Sequence, residues 1–427
     1  MYTLLVRWPA FICLATTLVL FAAGATMAQN RPVVAPLDPA LRNLIGEVLD
    51  KNPGVRSARA AVNAAEARVR GADRPLYNPQ LEVDAEQAET RAGSLGVSQA
   101  IDWSDKRTAR TDVAGAELDA VQAAYAVVRQ RLVGELLTGL GTYQTANAIQ
   151  QLAQERVVLM QRFLDLAEKR RRAGDLSQVE LDLARLAQTQ ATLQLSQTAS
   201  DLAEARQALA AITGEPNRDW PILPADIPAL AAFDPQSLLN NLPELRALQA
   251  RVGAARASVT LRNRERRPDP TIGVRAGQER SFRNGNDDNY GLAGVTLTIP
   301  LFVRNSFRAE VEAASAELTQ ADESMQDAYR RAQARLLSAA DRYRLSRSAW
   351  SAWLRTGQSS LGSQVSLLER IWQAGEMSTA DYLVQLNQTL DTRTNALEVQ
   401  GRLWTAWADW LVASGQADAW LGQSKAQ

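Results

Sequence analysis

The chain has 427 residues, 47 basic and 47 acidic side chains, no histidine and a single cysteine. The lack of histidine removes Ser/His/Asp triads, histidine general bases and histidine-ligated metal centres, and the balanced charge gives no footprint for nucleic acid. The acidic residues fall mostly at helical spacing among Arg and Gln, the pattern of a solvated face, so no catalytic, cofactor or metal site is assigned and an enzyme is not expected.

Arg7 precedes an apolar run from Pro9 to Ala25, followed by Thr26-Met27-Ala28-Gln29. This reads as a secretory signal over residues 1–28, cleaved after Ala28, with cleavage after Ala25 as the alternative. The run is short for a membrane span and small residues follow it. Cys13 lies inside the run, and Ala10-Phe11-Ile12 before it does not resemble a lipoprotein cleavage site, so a lipid anchor is not expected. The exported chain would then carry no cysteine and no disulfide. No later apolar run is long enough for a transmembrane helix, which fits an ordinary secreted protein or an outer-membrane barrel, whose strands are only weakly apolar.

Residues 29–40 are Pro-rich and read as extended. Leu41 to Ala72 is helical by composition, broken at Asn52-Pro53-Gly54, where Pro53 suits a helix start. Pro75 and Pro79 end that stretch. Leu81 to Glu86 alternates apolar and acidic residues, which predicts a strand with two unlike faces. Thr90 to Ser94 reads as a turn and Gly96 to Trp103 as a second strand. From Lys106 to Arg172 no Pro interrupts a run of strong helix formers, a rod of roughly 100 Å. Ala173-Gly174-Asp175-Leu176-Ser177 reverses it, with Gly174 suited to a left-handed helix end and Ser177 to the N-cap of a returning helix from Leu176 to Ile212.

Gly214-Glu215-Pro216 and four further prolines mark a linker over 214–242, expected to lie against the outside of the helices. The second unit, 243–415, repeats the first, 29–213, and residues 416–427 form a tail. Thr271 to Ala276 and Gly291 to Ile299 read as strands, separated by a loop from Ser281 to Asn289. Phe307 to Gln373 and Thr379 to Ala413 read as the second long helical pair. Ala374-Gly375-Glu376-Met377-Ser378 repeats the first turn 201 residues later, and Asp269-Pro270 and Tyr343 echo Asn78-Pro79 and Tyr143. Leu383, Leu390, Leu397, Trp404 and Leu411, like Leu195, Leu202 and Leu209, recur every seven residues, the seam of helices that wrap around neighbours. Trp404, Trp407 and Trp410 read as a packing ridge.

The fold class is therefore mainly α, with long helical hairpins and four strands per chain. Two isolated hairpins are marginal in water. Their partners are expected to come from other copies, three chains giving a closed 12-stranded barrel with no free edge. Leu81, Val83, Val295 and Leu297 would face outward and Glu82, Asp84 and Glu86 would face the lumen.

The duplicated layout resembles the TolC family of outer-membrane efflux proteins over nearly all of the exported chain. The stretches that carry the resemblance are Val97-Ser98-Gln99-Ala100-Ile101-Asp102 with Lys106-Arg107, Leu297-Thr298-Ile299-Pro300-Leu301-Phe302 with Arg304-Asn305, and Ala374 to Ser378. Within the family the strand exits look most like the cobalt–zinc–cadmium branch. The resemblance implies a homotrimer whose strands form one outer-membrane barrel and whose helices form a periplasmic tunnel. It further implies cargo handed over by an inner-membrane RND-type pump through a periplasmic adaptor, which meets the tips at Gly174, Ser177, Gly375 and Ser378. Asp381, six residues past Gly375, matches the family's acidic ring at the closed periplasmic entrance, while Val384 stands where some relatives carry a second Asp. A secreted coiled-coil protein without channel activity is the alternative; a periplasmic adaptor would need many consecutive strands that this chain lacks.

Overall fold

The computed structural model describes residues 38–422, apart from 88–89, 217–218, 225–226, 228 and 284–285. The signal segment over 1–28 lies outside the described residues. In chain order the elements are α1 (Pro39–Lys51), α2 (Pro53–Ala72), β1 (Gln80–Gln87), β2 (Thr90–Ala100), α3 (Lys106–Ala173), α4 (Gln178–Thr213), α5 (Pro235–Asn240), α6 (Pro243–Glu265), β3 (Thr271–Arg283), β4 (Asn286–Thr298), α7 (Arg308–Gln373), α8 (Thr379–Ser414) and α9 (Ala417–Trp420). The order α2–β1–β2–α3–α4 thus recurs as α6–β3–β4–α7–α8.

Two expectations for the strands are corrected. Thr90 to Ser94 is not a turn but the start of β2: Arg91 to Ser94 pair on one side with Gln87 to Asp84, and Thr90 to Ser94 pair on the other with Ser281 to Gly277. The polar run Ser281 to Asn289 is not a long loop: β3 continues to Arg283 and β4 begins at Asn286. In both places ladder hydrogen bonds satisfy the backbone whatever the side chains, so a loop-like composition does not end the strand. A third correction concerns pairing. The two hairpins join each other through β2 and β3, giving one antiparallel sheet in the order β1-β2-β3-β4. β1 and β4 are left as its edges, so other copies are needed to close the edges and not to give each hairpin its first neighbour.

α3 runs for 68 residues, about 100 Å at helical rise. Near the sheet it lies between α2 and α6, and α6 packs on α7; toward the tips it lies between α4 and α8, and α8 packs on α7. The α3–α8 contact is close because small residues line it. A Cβ on Gly134 would press into Val412, and one on Gly141 would sit 3.1 Å from the Trp404 Cβ. The seven-residue seam of α8 is buried at Leu383, Leu390, Trp404 and Leu411. On α4 the leucine seam is buried only at Leu209; Leu195 and Leu202 are half-buried, and the buried line along the rest of the helix is Ala184, Ala191, Thr198 and Ala205.

A first core gathers midway along the helices. Leu41, Leu44 and Ile45 of α1 pack there with Leu136, Leu137 and Leu140 of α3 and the ridge Trp404, Trp407 and Trp410. The ridge is packing material: Trp407 meets Tyr343 at 5.1 Å and Trp410 meets Phe233 at 4.6 Å. The echoed tyrosines are used alike, since Tyr143 meets Trp220 at 4.8 Å. The Pro-rich connection is part of this core. Trp220, Leu223, Ile227 and Leu239 are buried in it, and residues 235–240 form the short α5. A second core lies near the tips, around Phe163, Trp372 and Tyr382.

Candidate functional site: the two faces of the sheet and the two hairpin tips

Strand alternation and register sort the sheet into two faces. One carries Leu81, Val83, Leu95, Val97, Ile272, Val274, Val295 and Leu297, all exposed, with Leu81 at 72% and Val295 at 78%. Eight branched side chains left open on one face do not cover a core of this chain, and an apolar patch of that kind marks an interaction surface. The opposite face carries Glu82, Asp84 and Glu86. Glu82 lies in one row with Gly96, Arg275 and Gly294, and Glu86 in one row with Ala92, Glu279 and Tyr290. Ser98 donates its hydroxyl to Glu82 at 2.6 Å and Ser94 donates to Asp84 at 3.3 Å. The three acids therefore share a polar face, as alternation along β1 predicts, and Arg275 balances part of their charge. Among the described residues no helix is long and apolar enough to cross a membrane, and no group of three or more acidic, Cys or His side chains is arranged to hold a metal ion.

Where the sheet meets the helices sits a buried ion pair that sequence reasoning missed. Lys106 Nζ lies 2.9 Å from Asp269 Oδ2, with side-chain exposures of 9% and 5%. Lys106 also donates to the Arg267 carbonyl at 2.7 Å, and the Tyr77 hydroxyl donates to Asp269 at 2.7 Å. Burial, reinforced by that hydrogen bond, pushes the Tyr77 phenol up to about 12. The partners are 163 and 192 residues apart, so no local pattern announces them. Asp102 caps α3, accepting from the backbone N–H of Lys106 and of Arg107, each at 2.8 Å. Asp105 and Phe307 precede the two long helices at φ 57° and 54°, the same left-handed kink in both repeats.

At the other end of α3, Gly174 adopts φ +89° and ends the helix. Ser177 caps α4 in a reciprocal box: its hydroxyl accepts from the Glu180 N–H at 3.2 Å, and Glu180 accepts from the Ser177 N–H at 2.9 Å. Those hydrogen bonds from Ser177, backbone first, hold the Glu180 carboxyl below its usual range. In the second tip Gly375 adopts φ +78° and Ser378 caps α8, accepting from the Asp381 N–H at 3.1 Å. The Asp381 carboxylate accepts the Ser378 hydroxyl at 2.7 Å and is exposed, as is Val384 one turn on.

The two tips touch. Arg170, from the first, donates to the Trp372 carbonyl at 3.2 Å and lies over its ring at 5.3 Å. Trp372 packs against Phe163 at 4.6 Å and stacks on Tyr382 at 5.3 Å, and burial pushes the Tyr382 phenol up to about 12. The structure thus brings Gly174, Ser177, Gly375, Ser378 and Asp381 to one end of the molecule. Glu82, Asp84 and Glu86 lie at the other end, the length of a long helix away, so the sequence-predicted residues form two sites rather than one.

Comparison with known proteins agrees with this layout. The sequence profile of the family described as "Outer membrane efflux protein" matches residues 44–215 and 235–416. The cobalt-zinc-cadmium resistance protein CzcC of Cupriavidus metallidurans is 25% identical over 288 residues, 66% of this chain and 68% of that protein. The pyoverdine export outer membrane protein OpmQ of Pseudomonas putida is 28% identical over 323 residues, 68% of this chain and 67% of that protein. Among solved structures, the outer membrane protein VceC of Vibrio cholerae superposes with a TM-score of 0.72 at 19% identity, covering 88% of this chain and 96% of VceC.

Proposed function

The chain belongs to the outer membrane efflux protein family, and we propose how its two ends divide the work of an efflux channel. The channel is a trimer in the outer membrane, with strands in a shared barrel and helices in a periplasmic tunnel. The observation that carries the reading is the joining of two shapes: a four-stranded sheet with an exposed apolar face and two open edges, continuous with helices of about 100 Å. Edge β1 of one copy takes edge β4 of the next, which closes 12 strands from three chains of four. The apolar face then meets lipid, and Glu82, Asp84 and Glu86 line the lumen.

At the periplasmic end the tips at Gly174, Ser177, Gly375 and Ser378 receive a periplasmic adaptor coupled to an inner-membrane pump of the RND type. Asp381, repeated by threefold symmetry, forms an acidic ring at the entrance that favours cations and holds divalent ions. Val384 leaves that ring single. The cargo we assign is divalent heavy-metal cations, supported by the three acids along β1, by Asp381 and by similarity to a cobalt-zinc-cadmium resistance protein. The similar identity to a pyoverdine exporter favours a second reading, an organic metal chelator as cargo.

The location test is fractionation and sizing: the protein should sediment with the outer membrane and run as a trimer in mild detergent, and a monodisperse soluble monomer contradicts the proposal. The cargo test is a gene deletion screened against cobalt, zinc, cadmium and a drug panel. Sensitivity to the metals supports metal export, and sensitivity only to organic compounds removes it.

A further inference from the structure

One cation of the polar face leans away from the acids of its own chain. Arg275 of β3 stands in a row between two glycines, Gly96 on β2 and Gly294 on β4, with Glu82 beyond Gly96 on β1. Its side chain lies over Gly294: a Cβ built there would sit 3.1 Å from Arg275 Nε and 3.5 Å from its Cγ. At Gly96 the nearest atoms to such a Cβ are the Val274 carbonyl oxygen and the Cβ and Cα of Arg275, the root of the side chain. The guanidinium is thus carried toward β4, an edge of the sheet, and away from Glu82. Arg275 is exposed and, among the described residues, has no ion-pair or hydrogen-bond partner. On β1, the other edge, Glu82 and Asp84 each accept a serine hydroxyl. Glu86 is exposed and accepts nothing among the described residues.

Barrel closure decides which acid of the next copy lies beyond Gly294. Strands about 4.8 Å apart, rising about 3.4 Å per residue and tilted by about 40°, make each row climb or fall by about 3 Å per strand. If rows climb from β1 to β4, the strand feet Gln80, Ala100, Thr271 and Thr298 come within about 6 Å of one level. If rows fall, the feet spread over about 15 Å. All four feet lead to the helices, so the climbing sense keeps them at one membrane boundary. The row from Gly294 then reaches β1 of the next copy further up than Glu82. The step must be even, because an odd one sets this polar face against the apolar one. A step of four residues corresponds to a tilt of about 35°, and one of six to about 47°, against a usual range of about 35–45°. Four residues beyond Glu82 is Glu86, whereas six passes the end of β1 at Gln87.

We propose that Arg275 forms an ion pair with Glu86 of the next copy, laid over Gly294 and repeated three times around the lumen. The two residues stand two strands apart, about 10 Å between backbones, which a long Arg and a Glu span when the residue between them has no side chain. The pair is charge-assisted and joins the two edges that each chain leaves open. This rests on the reading of the sheet as one third of a trimeric barrel. It also withdraws Glu86 from the free acids of the lumen, leaving Glu82 and Asp84, nearer the helices, to meet cations.

The test has two arms. In the first, Cys13, the single cysteine of the chain, is replaced by Ser, and Val295→Cys is combined with Leu81→Cys, Ala85→Cys or Gln87→Cys. These positions lie on the face opposite Arg275 and Glu86, so they report the register with the ion pair intact. β1 and β4 are opposite edges of one chain's sheet, so a disulfide between them joins two copies. Oxidation of the membrane-embedded protein should give covalent trimers with Ala85→Cys. Strongest linkage at Leu81→Cys or Gln87→Cys, or no linkage within an intact trimer, overturns the proposal. The second arm reads the temperature at which the trimer dissociates in mild detergent. Arg275→Glu and Glu86→Arg should each lower it, and the two together should recover at least half of the loss. No loss in either single variant, or losses that add in the double variant, overturns the ion pair. The first arm decides the register should the charge variants not assemble. Absence of any trimer of the unmodified chain overturns the barrel reading instead.

Discussion

At the first hairpin tip Glu180 folds back onto Ser177 and accepts from both its backbone N–H and its hydroxyl, at 2.9 and 2.7 Å. At the second tip Asp381 stands at the same helical step but, among the described residues, accepts only the Ser378 hydroxyl. One methylene separates the two side chains. The longer one reaches the exposed end of the backbone and is used up in capping; the shorter one falls short and keeps acceptor capacity for something else. The tips differ again two residues before the turn. Where the first repeat has Arg171, the second has Trp372, 201 residues on, locked between Phe163 and Tyr382. Equivalent positions have thus parted: the first tip is built as a cap, while the second pairs an aromatic anchor with an available carboxylate.

The largest break in this comparison is removal of the anchor. Trp372→Ala takes away a fully buried indole and should cost about 3–5 kcal/mol, seen as loss of hydrogen-exchange protection across the α7–α8 tip. Arg171→Ala should leave the first tip within about 1 kcal/mol. Equal loss at the two tips would show that Trp372 anchors nothing special.

Gly174→Val and Gly375→Val test the reversals themselves. Both glycines have positive φ, so a β-branched residue should cost about 1–3 kcal/mol at either. Gly375→Val should also lower export in cells while trimer yield holds. Unchanged export and unchanged adaptor crosslinking make that tip a turn and nothing more.

The caps should separate more finely. Ser177→Ala removes a hydroxyl from a reciprocal box and should cost about 1–2 kcal/mol, with Ser378→Ala nearer 0.5–1 kcal/mol. Exchange rates of the first-turn amides of α4 and α8 report the difference, and a larger effect at Ser378 reverses the assignment. The smallest effect is in pH. The Glu180 carboxyl is held down in the folded tip, so its contribution is present above the unfolded carboxylate range and is lost as pH falls through the lower folded value. The first turn of α4 should fray on acidification, and Glu180→Gln should remove that pH dependence. A first turn equally protected across the acid range contradicts the capping role.

Much of this could be read from the chain. The long helices, the Gly turns and the seam of α8 follow from local spacing, and Ser177 and Ser378 from their places after a glycine. What escaped was set by pairing at a distance. Thr90 to Ser94 and Ser281 to Asn289 look like loops until a ladder neighbour is supplied. The alanine part of the α4 seam escaped because Ala184, Ala191 and Ala205, though buried, are small and give a weak hydrophobic signal. Lys106, Asp269 and Tyr77 are ordinary residues until two repeats meet, and of the two left-handed kinks the one at Phe307 sits on a residue type that does not advertise that conformation, whereas Asp105 is of a type that tolerates it.

The central claim is that this outer-membrane channel admits cations past Asp381, while Glu180, its counterpart, only caps a helix. Planar-bilayer conductance of the purified trimer tests it most directly, with divalent cations added on the helical side to the unmodified protein, Asp381→Asn and Glu180→Gln. The account predicts cation preference and divalent block in the unmodified protein, both reduced in Asp381→Asn and both retained in Glu180→Gln. Unaltered selectivity and block in a trimeric Asp381→Asn, or the same loss in both variants, would contradict it.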